Sequence, residues 1–218
     1  MEIYIVRHGQ SVGNTGNESV DPPLTPLGER QAALLGEALK NVRFDSIFSS
    51  HLSRAVQTAA AVARRQEGMP EIRICPVLAE CGTPEDFLQS SEALREIYEN
   101  IVFEDLRVPS FPSDRARADY CLEEYVRKPS FARGFDFNAK TPDGTLSRRE
   151  GSILIVAHGT FNAHLIGELV QFPFDKNIIV SQHNACVNRF SLFTVNGVRR
   201  LRFLAMNDVR HLPEELWS

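Results

Sequence analysis

Two short apolar runs, far apart in the chain, end in the same way. The first, Ile3–Val6, leads into an Arg-His-Gly sequence that contains His8, and the second, Ile153–Ala157, leads into a His-Gly pair that contains His158. Continuous apolar runs of this length predict buried strands, and the glycine after each lets the backbone turn away. Because ligands of open α/β sheets bind beyond the carboxyl ends of strands, the pattern predicts that both imidazoles face one pocket.

The hydrophobic spacing elsewhere predicts an alternation of helices and strands. Thr25 is suited to cap a helix that starts at Pro26 and carries an apolar stripe as far as Ala38. A second helix follows a pair of serines and holds Arg54 in its first turn. The remaining predicted elements are strands over Phe44–Phe48 and Ile72–Leu78, helices over Ser91–Phe103, Arg115–Val126 and Thr160–Val170, and a hairpin of Val187–Val195 and Val198–Ala205 around Asn196-Gly197.

An irregular stretch runs from about residue 87 to residue 150. Prolines, a glycine and scattered aromatic residues surround its two predicted helices. An insert this long in a compact domain is usually functional or disordered. We therefore expect a single domain, 1–218, in which this insert forms a lid over a pocket and selects the substrate. The alternative is a packed surface excursion with no role toward a ligand.

The overall composition excludes several classes of function. With 218 residues, of which 43% are hydrophobic and 24% charged, the chain suits one domain with a substantial core. The net charge of −4 leaves no electrostatic footprint for nucleic acid. No apolar stretch approaches the ~20 residues of a membrane helix, and we expect no signal peptide. The cysteines fit no zinc spacing, which favours reduced thiols in a cytoplasmic protein over disulfides or a catalytic thiol; they are Cys75, Cys81, Cys121 and Cys186.

Two polar features near the predicted strand ends indicate an anion site. The segment 10–17 is small and polar, so its N–H groups and amides can wrap an anion, although it can also be a plain loop. Arg54 lies in the first turn of a helix, where a cation opposes the helix dipole. That placement is explained if Arg54 and the helix N-terminus both bind a phosphate, and the alternative is a solvated surface arginine.

Three carboxylates, Glu80, Glu85 and Asp86, follow the predicted strand Ile72–Leu78. One of them can act as a general acid in a pocket at this edge of the sheet, and the alternative is a solvated acidic loop. His164 lies inside the helix predicted over Thr160–Val170, where we expect a core or surface role rather than a catalytic one.

Five motifs occur in a fixed order along the chain: Arg7-His8-Gly9-x-Ser11-x-x-Asn14, Leu24-Thr25-x-x-Gly28-x-x-Gln31-Ala32, Ser49-Ser50-x-Leu52-x-Arg54-Ala55-x-x-Thr58-Ala59, Leu78-x-Glu80 and Ala157-His158-Gly159. Together they resemble the histidine phosphatase superfamily, the phosphoglycerate mutase-like proteins. A lone Arg-His-Gly is a weak signal, whereas five motifs in this order are a specific one. The resemblance covers roughly residues 1–82 and 151–212 and leaves the insert uncovered.

The resemblance implies an α/β fold, a three-layer α/β/α sandwich around a mostly parallel mixed sheet. It also implies a phosphohistidine mechanism, without metal or other cofactor, that acts on a small phosphorylated substrate. Carried over residue by residue, His8 resembles the nucleophile, Glu80 the proton donor, and Arg7, Arg54 and His158 the catalytic residues that hold the phosphate. Further phosphate contacts are implied for Asn14 and Thr15.

The chain departs from the family pattern in three places. Position 10 is Gln10 rather than the usual Glu, and Cys81–Asp86 lacks the extended stretch typical of mutases. Both departures favour a phosphomonoester hydrolase. The segment 138–151, where the family resemblance implies a long helix, is broken by proline and glycine. That break leaves Glu85 and Asp86 as rivals of Glu80 for the general acid.

Two alternatives to the hydrolase stay open. The first is a phosphoglycerate mutase-type phosphomutase, which would return the phosphate from the enzyme to the substrate. The second is a non-catalytic module on the same fold that binds a phosphorylated ligand or a protein. The sequence fixes neither the physiological substrate nor the oligomeric state.

Overall fold

The computed structural model describes residues 1–16, 19–84, 86–104, 109–127, 151–172, 180–196 and 198–218. Strands and helices alternate along much of the chain, as the hydrophobic spacing predicts. The strands are β1 (Glu2–Arg7), β2 (Ser46–Ser49), β3 (Ile72–Ile74), β4 (Ile101–Phe103), β5 (Ser152–Ala157), β6 (Val187–Val195) and β7 (Val198–Asp208). The α-helices are α1 (Pro26–Leu39), α2 (Ser53–Ala63), α3 (Ser91–Ile97), α4 (Asp114–Leu122) and α5 (Gly159–Val170).

The described strands form a seven-stranded sheet in the order β4-β3-β2-β5-β1-β6-β7. The five strands from β4 to β1 in this order run parallel, whereas β6 and β7 add to β1 as an antiparallel hairpin. The mostly parallel mixed sheet implied by the resemblance is therefore confirmed. Its parallel part places the carboxyl ends of β1, β2, β3 and β5 at one edge, where ligands of such sheets bind.

Residues of the central strands alternate between two cores, one on each face of the sheet. Tyr4 and Val6 of β1 belong to a core with residues of α1, α2 and α3, while Ile3 and Ile5 belong to a core with residues of α4 and α5. Side chains of a strand alternate with period two, so a continuous apolar run is stable where helices cover both faces. The described helices provide that cover and complete the α/β/α sandwich.

The predicted helix over Ser91–Phe103 is wrong at its C-terminal end. The helix stops at Ile97, and Ile101–Phe103 form β4, which pairs in parallel with β3. Short apolar runs fit a helix or a strand equally well by spacing, and here the pairing with β3 decides. The strand predicted over Ile72–Leu78 ends at Ile74, because Pro76 lacks an N–H for the ladder and starts a 3-10 turn.

The other predicted elements are confirmed with small shifts at their ends. The helix α4 starts at Asp114 and continues after Leu122 as one π-helical turn, Glu123–Arg127. The strand β7 extends to Asp208, beyond the end predicted at Ala205. Of the insert predicted at 87–150, the parts 105–108 and 128–150 lie outside the described residues, and its described part contributes α3, β4 and α4.

The four cysteines are free thiols, and three of them are buried. Burial raises the pKa of the Cys75 and Cys121 thiols, so neither is a reactive thiolate. Among the helices that the structure describes, none has the length and apolar character needed to cross a membrane.

The turn after β1 packs backbone to backbone against the first turn of α1. The Gln10 carbonyl accepts a hydrogen bond from the Thr25 N–H at 2.9 Å, and Thr25 Oγ1 caps the helix by accepting from the Gly28 N–H at 3.1 Å. A Cβ at Gly28 would lie 1.9 Å from the Gln10 carbonyl oxygen, and a Cβ at Gly9 would lie 2.5 Å from the Gly28 oxygen. Only glycine permits this approach. The contact fixes the path of the chain directly after His8.

Replacement of Gly28 by alanine tests this contact. Gly28→Ala is expected to lower the free energy of unfolding by about 1–3 kcal/mol, because the added methyl group forces the turn and the helix apart. Thermal unfolding followed by circular dichroism would show the lower Tm. Ala33→Ser, at an exposed position of the same helix, is the control and should change the free energy of unfolding by less than about 0.5 kcal/mol. An unchanged Tm in Gly28→Ala would contradict the close approach.

Candidate active site

His8 lies at the carboxyl end of β1, and backbone groups hold it on both sides. Its N–H donates to the Ala157 carbonyl at 3.0 Å, and its carbonyl accepts from the Ala185 N–H at 3.1 Å. The ring Nδ1 lies 2.6 Å from the Gly9 carbonyl oxygen. A carbonyl oxygen only accepts, so Nδ1 is assigned the proton and Nε2 the lone pair.

Burial keeps the His8 imidazole neutral. Desolvation is the largest cause that lowers the pKa of His8 to about 3, and the guanidinium of Arg54 is the next. The hydrogen bond to the Gly9 carbonyl opposes this shift, and the charge of Arg7 adds to it. At neutral pH the ring is therefore the neutral imidazole, with a lone pair on Nε2, which is the form that can attack phosphorus.

Arg54 reaches His8 from the first turn of α2, where the sequence predicts it. The side chain is buried, and its Nε donates to His8 Nε2 at 3.3 Å. On the other side, Nη1 lies 3.7 Å from Asp21 Oδ1. Asp21 also accepts hydrogen bonds from the Ser53 N–H at 2.8 Å and from the Ser53 hydroxyl at 2.5 Å. Asp21 thereby fixes both the guanidinium and the start of α2.

Arg7 approaches the site from β1 and packs on the start of α5. Its Nη1 donates to the Gln182 carbonyl, and the Gln182 side-chain amide donates to the Gly159 carbonyl at 3.1 Å. A Cβ at Gly159 would lie 3.2 Å from Arg7 Nε, so the glycine leaves room for the guanidinium. Two planar sets of donors, from Arg7 and Arg54, therefore reach the surroundings of His8 from different elements.

His158 directly follows the last residue of β5 and precedes the first residue of α5. Its ring centroid lies 5.1 Å from that of His8, so the structure brings the two histidines together as predicted. Desolvation, and next the influence of His8, lower the pKa of His158 well below its usual range. The ring is neutral here, and its protonation would require a bound anion, whose charge would stabilise the proton.

Several buried polar atoms around His8 have no hydrogen-bond partner among the described residues. They are Arg7 Nε, Arg54 Nη1 and both ring nitrogens of His158. An unpartnered buried polar group costs about 1–3 kcal/mol, so a cluster of them in one place is unusual. A tetrahedral oxyanion next to His8 Nε2 would supply the missing acceptors. The arrangement is suited to bind an anion against the lone pair of His8.

Glu80 holds its carboxylate at the N-terminus of α5. Its Oε1 accepts from the N–H groups of Cys81 at 2.9 Å and Phe161 at 3.0 Å, and its Oε2 accepts from the Thr160 N–H at 3.3 Å. These bonds place the carboxylate within one helical turn of His158. The charge of Glu80 is close enough to the two arginines to raise the pKa of each, against the lowering effect of burial.

The remaining predicted site residues are Asn14, Thr15, Glu85 and Asp86. Asn14 is exposed, and its Oδ1 accepts from the N–H and the hydroxyl of Ser11 at 2.9 and 3.1 Å, so this oxygen stabilises the local turn. Asp86 is exposed on the wall of a cavity beside the site. Glu85 and the side chain of Thr15 lie outside the described residues. Phosphate binding by Asn14 and Thr15 stays a prediction.

One cluster has the residue types of a metal site. Cys81, Asp114 and His164 bring a sulfur, a carboxylate oxygen and a ring nitrogen within 4.8 Å of one another. The guanidinium of Arg117 donates to Asp114 Oδ1 at 2.7 Å and to Cys81 Sγ at 3.7 Å. Because this cation already occupies two of the three ligands, the cluster is poorly suited to a metal ion.

Sequence reasoning missed three residues that shape the site. Asp21 anchors Arg54, the Gln182 carbonyl accepts from Arg7, and His51 is buried close enough to Arg54 and His158 to interact with both electrostatically. His51 lies two residues after the end of β2, within the motif that contains Arg54, and this position is a signal that sequence analysis could have used. Asp21 and Gln182 lie in loops, where no local pattern marks them.

A family model described as the histidine phosphatase superfamily (branch 1) matches residues 3–130. The Xenopus laevis protein named fructose-2,6-bisphosphatase TIGAR is 42% identical over 76 residues, which are 33% of this chain and 28% of that protein. The Yersinia enterocolitica protein named "Probable phosphoglycerate mutase GpmB" is 36% identical over 66 residues, which are 29% of this chain and 31% of that protein. The matched part is thus less than a third of the length of either relative.

A solved structure gives a likeness over nearly the whole chain. The mycobacterial glucosyl-3-phosphoglycerate phosphatase in complex with inorganic phosphate superposes with a TM-score of 0.64 at 21% identity. The alignment covers 97% of this chain and 99% of that one. At this identity the likeness concerns the fold, and it agrees with the α/β/α sandwich described above.

Binding of inorganic phosphate tests the anion site without any turnover. Phosphate at 100 times its Kd is expected to raise the Tm by about 5–10 °C, because it binds the folded state alone. Arg54→Gln should lose most of this shift, whereas Arg65→Gln, an exposed arginine beyond the C-terminal end of α2, should keep it. Chloride at matched ionic strength controls for salt. An equal phosphate shift in folded Arg54→Gln and in the unchanged protein would contradict the site.

Proposed function

The chain belongs to the histidine phosphatase superfamily (branch 1), and we propose that it hydrolyses phosphomonoesters through a phosphohistidine formed on His8. The observation that supports this most is the set of unpartnered buried donors around a neutral imidazole. Donors of Arg7, Arg54 and His158 suit the oxygens of a phosphoryl group, and His8 Nε2 suits the attacking atom. Two buried guanidinium groups would be unfavourable in a site for a neutral ligand.

In the first step, His8 Nε2 attacks phosphorus and the ester P–O bond breaks. The Arg54 N–H that bonds to Nε2 first turns to a phosphate oxygen, because a charge-assisted bond is the stronger one. Nδ1 keeps its bond to the Gly9 carbonyl, which stabilises the positive charge that develops on the ring. The arginines and His158 hold the three equatorial oxygens while the bonds change.

Glu80 acts first as an acid and then as a base in this proposal. Its carboxyl group gives a proton to the leaving oxygen, so the alcohol departs neutral. The resulting carboxylate takes a proton from the water that attacks phosphorus, and the N–P bond breaks to release phosphate and restore His8. At least one backbone N–H that now bonds to Glu80 must give way when the carboxyl group turns to the leaving oxygen.

A phosphomutase is the second candidate, and the likeness to the protein named as a phosphoglycerate mutase favours it. Both reactions share the phosphohistidine, and they differ in what accepts its phosphate. A hydrolase transfers the phosphate to water, whereas a mutase returns it to the organic ligand. Incubation with phosphoglycerates and detection of isomerisation against phosphate release separates the two.

Replacement of the nucleophile is the first test of the mechanism. His8→Asn is expected to lower kcat/KM for any hydrolysed ester by about a thousandfold or more, because the covalent route is lost. The unchanged protein, quenched during turnover, should contain acid-labile phosphohistidine detectable by phosphorus NMR, and His8→Asn should contain none. A chelator should leave the rate unchanged, since Arg7, Arg54 and His158 supply the electrostatic stabilisation. His164→Asn is the matched control, and retained activity in folded His8→Asn would contradict the proposal.

The leaving group tests the role of Glu80. Glu80→Gln is expected to slow alkyl phosphates by about 100-fold to 10,000-fold, because an alkoxide needs a proton in order to leave. Nitrophenyl phosphate should lose much less, since nitrophenolate leaves without protonation. Asp86→Asn is the matched control and should leave the ratio of the two rates unchanged. Equal losses on both esters in Glu80→Gln, or the larger loss in Asp86→Asn, would place the acid elsewhere.

A further inference from the structure

A cavity opens beside the proposed phosphate-binding residues, which include His8, Arg54 and His158. It lies beyond Glu80 and His51. Its volume is about 670 Å³, and it lies between the loop after Glu80 and the start of α4. Much of its wall is apolar or aromatic, formed by Pro76, Pro84, Phe87, Leu88, Pro109 and Phe111. Because the cavity adjoins the proposed proton donor, the alcohol portion of a phosphomonoester would lie in it.

The charges on the wall of this cavity are mainly negative. Glu80, Asp86 and Asp114 contribute carboxylates, and among the lining residues that the structure describes Arg117 is the single guanidinium. Arg117 is already engaged, since it donates to Asp114 Oδ1 at 2.7 Å and lies over the Phe161 ring, 4.3 Å from its centroid. A second anionic group of a substrate would therefore lie near carboxylates. The one guanidinium among these described lining residues is already paired and could not offset their charge.

His51 is an independent sign of a ligand in this cavity. Its side chain is 2% exposed, it lines the cavity, and neither ring nitrogen makes a hydrogen bond of good geometry among the described residues. The ring of Phe87 packs against it at 5.9 Å, and the Phe87 backbone acts as a weak acceptor for one ring nitrogen, which leaves the other nitrogen without a partner. An imidazole buried in this way is unfavourable unless a ligand completes its hydrogen bonds.

We propose that the substrate is a phosphomonoester whose alcohol portion is bulky, mainly apolar and free of a second anionic group, and that His51 hydrogen-bonds to a hydroxyl or carbonyl oxygen of that portion. This inference rests on the proposed function, because it assumes that His8 receives the phosphoryl group. The apolar wall contributes affinity, and the carboxylates reject bisphosphates and phosphorylated acids. The relative named for a bisphosphate substrate matches 33% of this chain, so its substrate does not transfer by likeness.

A matched series of esters tests the charge preference. We would measure kcat/KM for phenyl phosphates that carry a para hydroxymethyl, aminomethyl or carboxy group, which differ mainly in charge. The neutral and the cationic ester are expected to exceed the anionic ester by about tenfold, from repulsion between like charges. Equal rates, or a faster anionic ester, would overturn the inference while leaving the phosphatase function standing. Failure to release phosphate from any ester would instead count against the proposed function.

A double variant tests whether these carboxylates cause the preference. Asp86→Asn combined with Asp114→Asn removes two negative charges and frees Arg117, so the disadvantage of the anionic ester should shrink to about threefold or less. Glu67→Gln combined with Glu71→Gln is the matched control, because these residues lie between the end of α2 and the start of β3, at the opposite edge of the sheet. An unchanged ratio in the cavity variant would overturn the assignment.

The role of His51 is tested with a second pair of esters, phenyl phosphates that carry an ortho hydroxymethyl or an ortho methyl group. His51→Phe keeps an aromatic ring but removes both nitrogens, so it should raise KM for the hydroxymethyl ester alone, by about three- to tenfold, with little change in kcat. His51→Gln, which keeps a donor and an acceptor, should recover most of that loss. An equal effect of His51→Phe on both esters would show a packing role and overturn the hydrogen bond.

Discussion

The parallel pairing of β1 with β5 is the constraint on which the site depends. In its register Arg7 lies opposite Ala157, and the His8 N–H extends the ladder to the Ala157 carbonyl. The next residue of each strand is then a histidine, and the two rings lie side by side. A slip of one residue would turn one ring to the other face of the sheet, because side chains alternate along a strand. The apolar residues of both strands, which fill two cores, oppose such a slip.

Burial gives the site its chemical character. The same packing that excludes water lowers the pKa of His8 and of His158, and it leaves donors of the two arginines without partners. Such an arrangement is unfavourable by itself and is maintained by groups outside the pocket. Asp21 holds Arg54, and the Gln182 carbonyl holds Arg7. These contacts of the folded state thus hold the arginine donors in place before a ligand binds. The donors would therefore need little reorientation in the proposed reaction.

The fold could be predicted from the sequence wherever local signals agree with the tertiary contacts. The apolar run before His8 and the cap at Thr25 are such signals, and both elements form as predicted. The short run Ile101–Phe103 is ambiguous by spacing, and its strand depends on β3, which is distant in the sequence. The candidate site residues could be named from the motifs, and their roles stay predictions. The anchoring of Arg54 by Asp21 depends on a contact between distant segments, which no local pattern encodes.

The hydrogen bond from Arg54 Nε to His8 Nε2 also affects the reactivity of the imidazole when no ligand is bound. While that bond exists, the imidazole lone pair is engaged, so it is a weak ligand for transition metals and a slow target for neutral acylating or alkylating molecules. In the proposed mechanism, a phosphate dianion would draw the guanidinium to its own oxygens and release the lone pair. The proposed nucleophile would then become reactive only in the presence of the charged group that it attacks. Discrimination between phosphate esters and other electrophiles would therefore begin before the alcohol portion contacts its cavity.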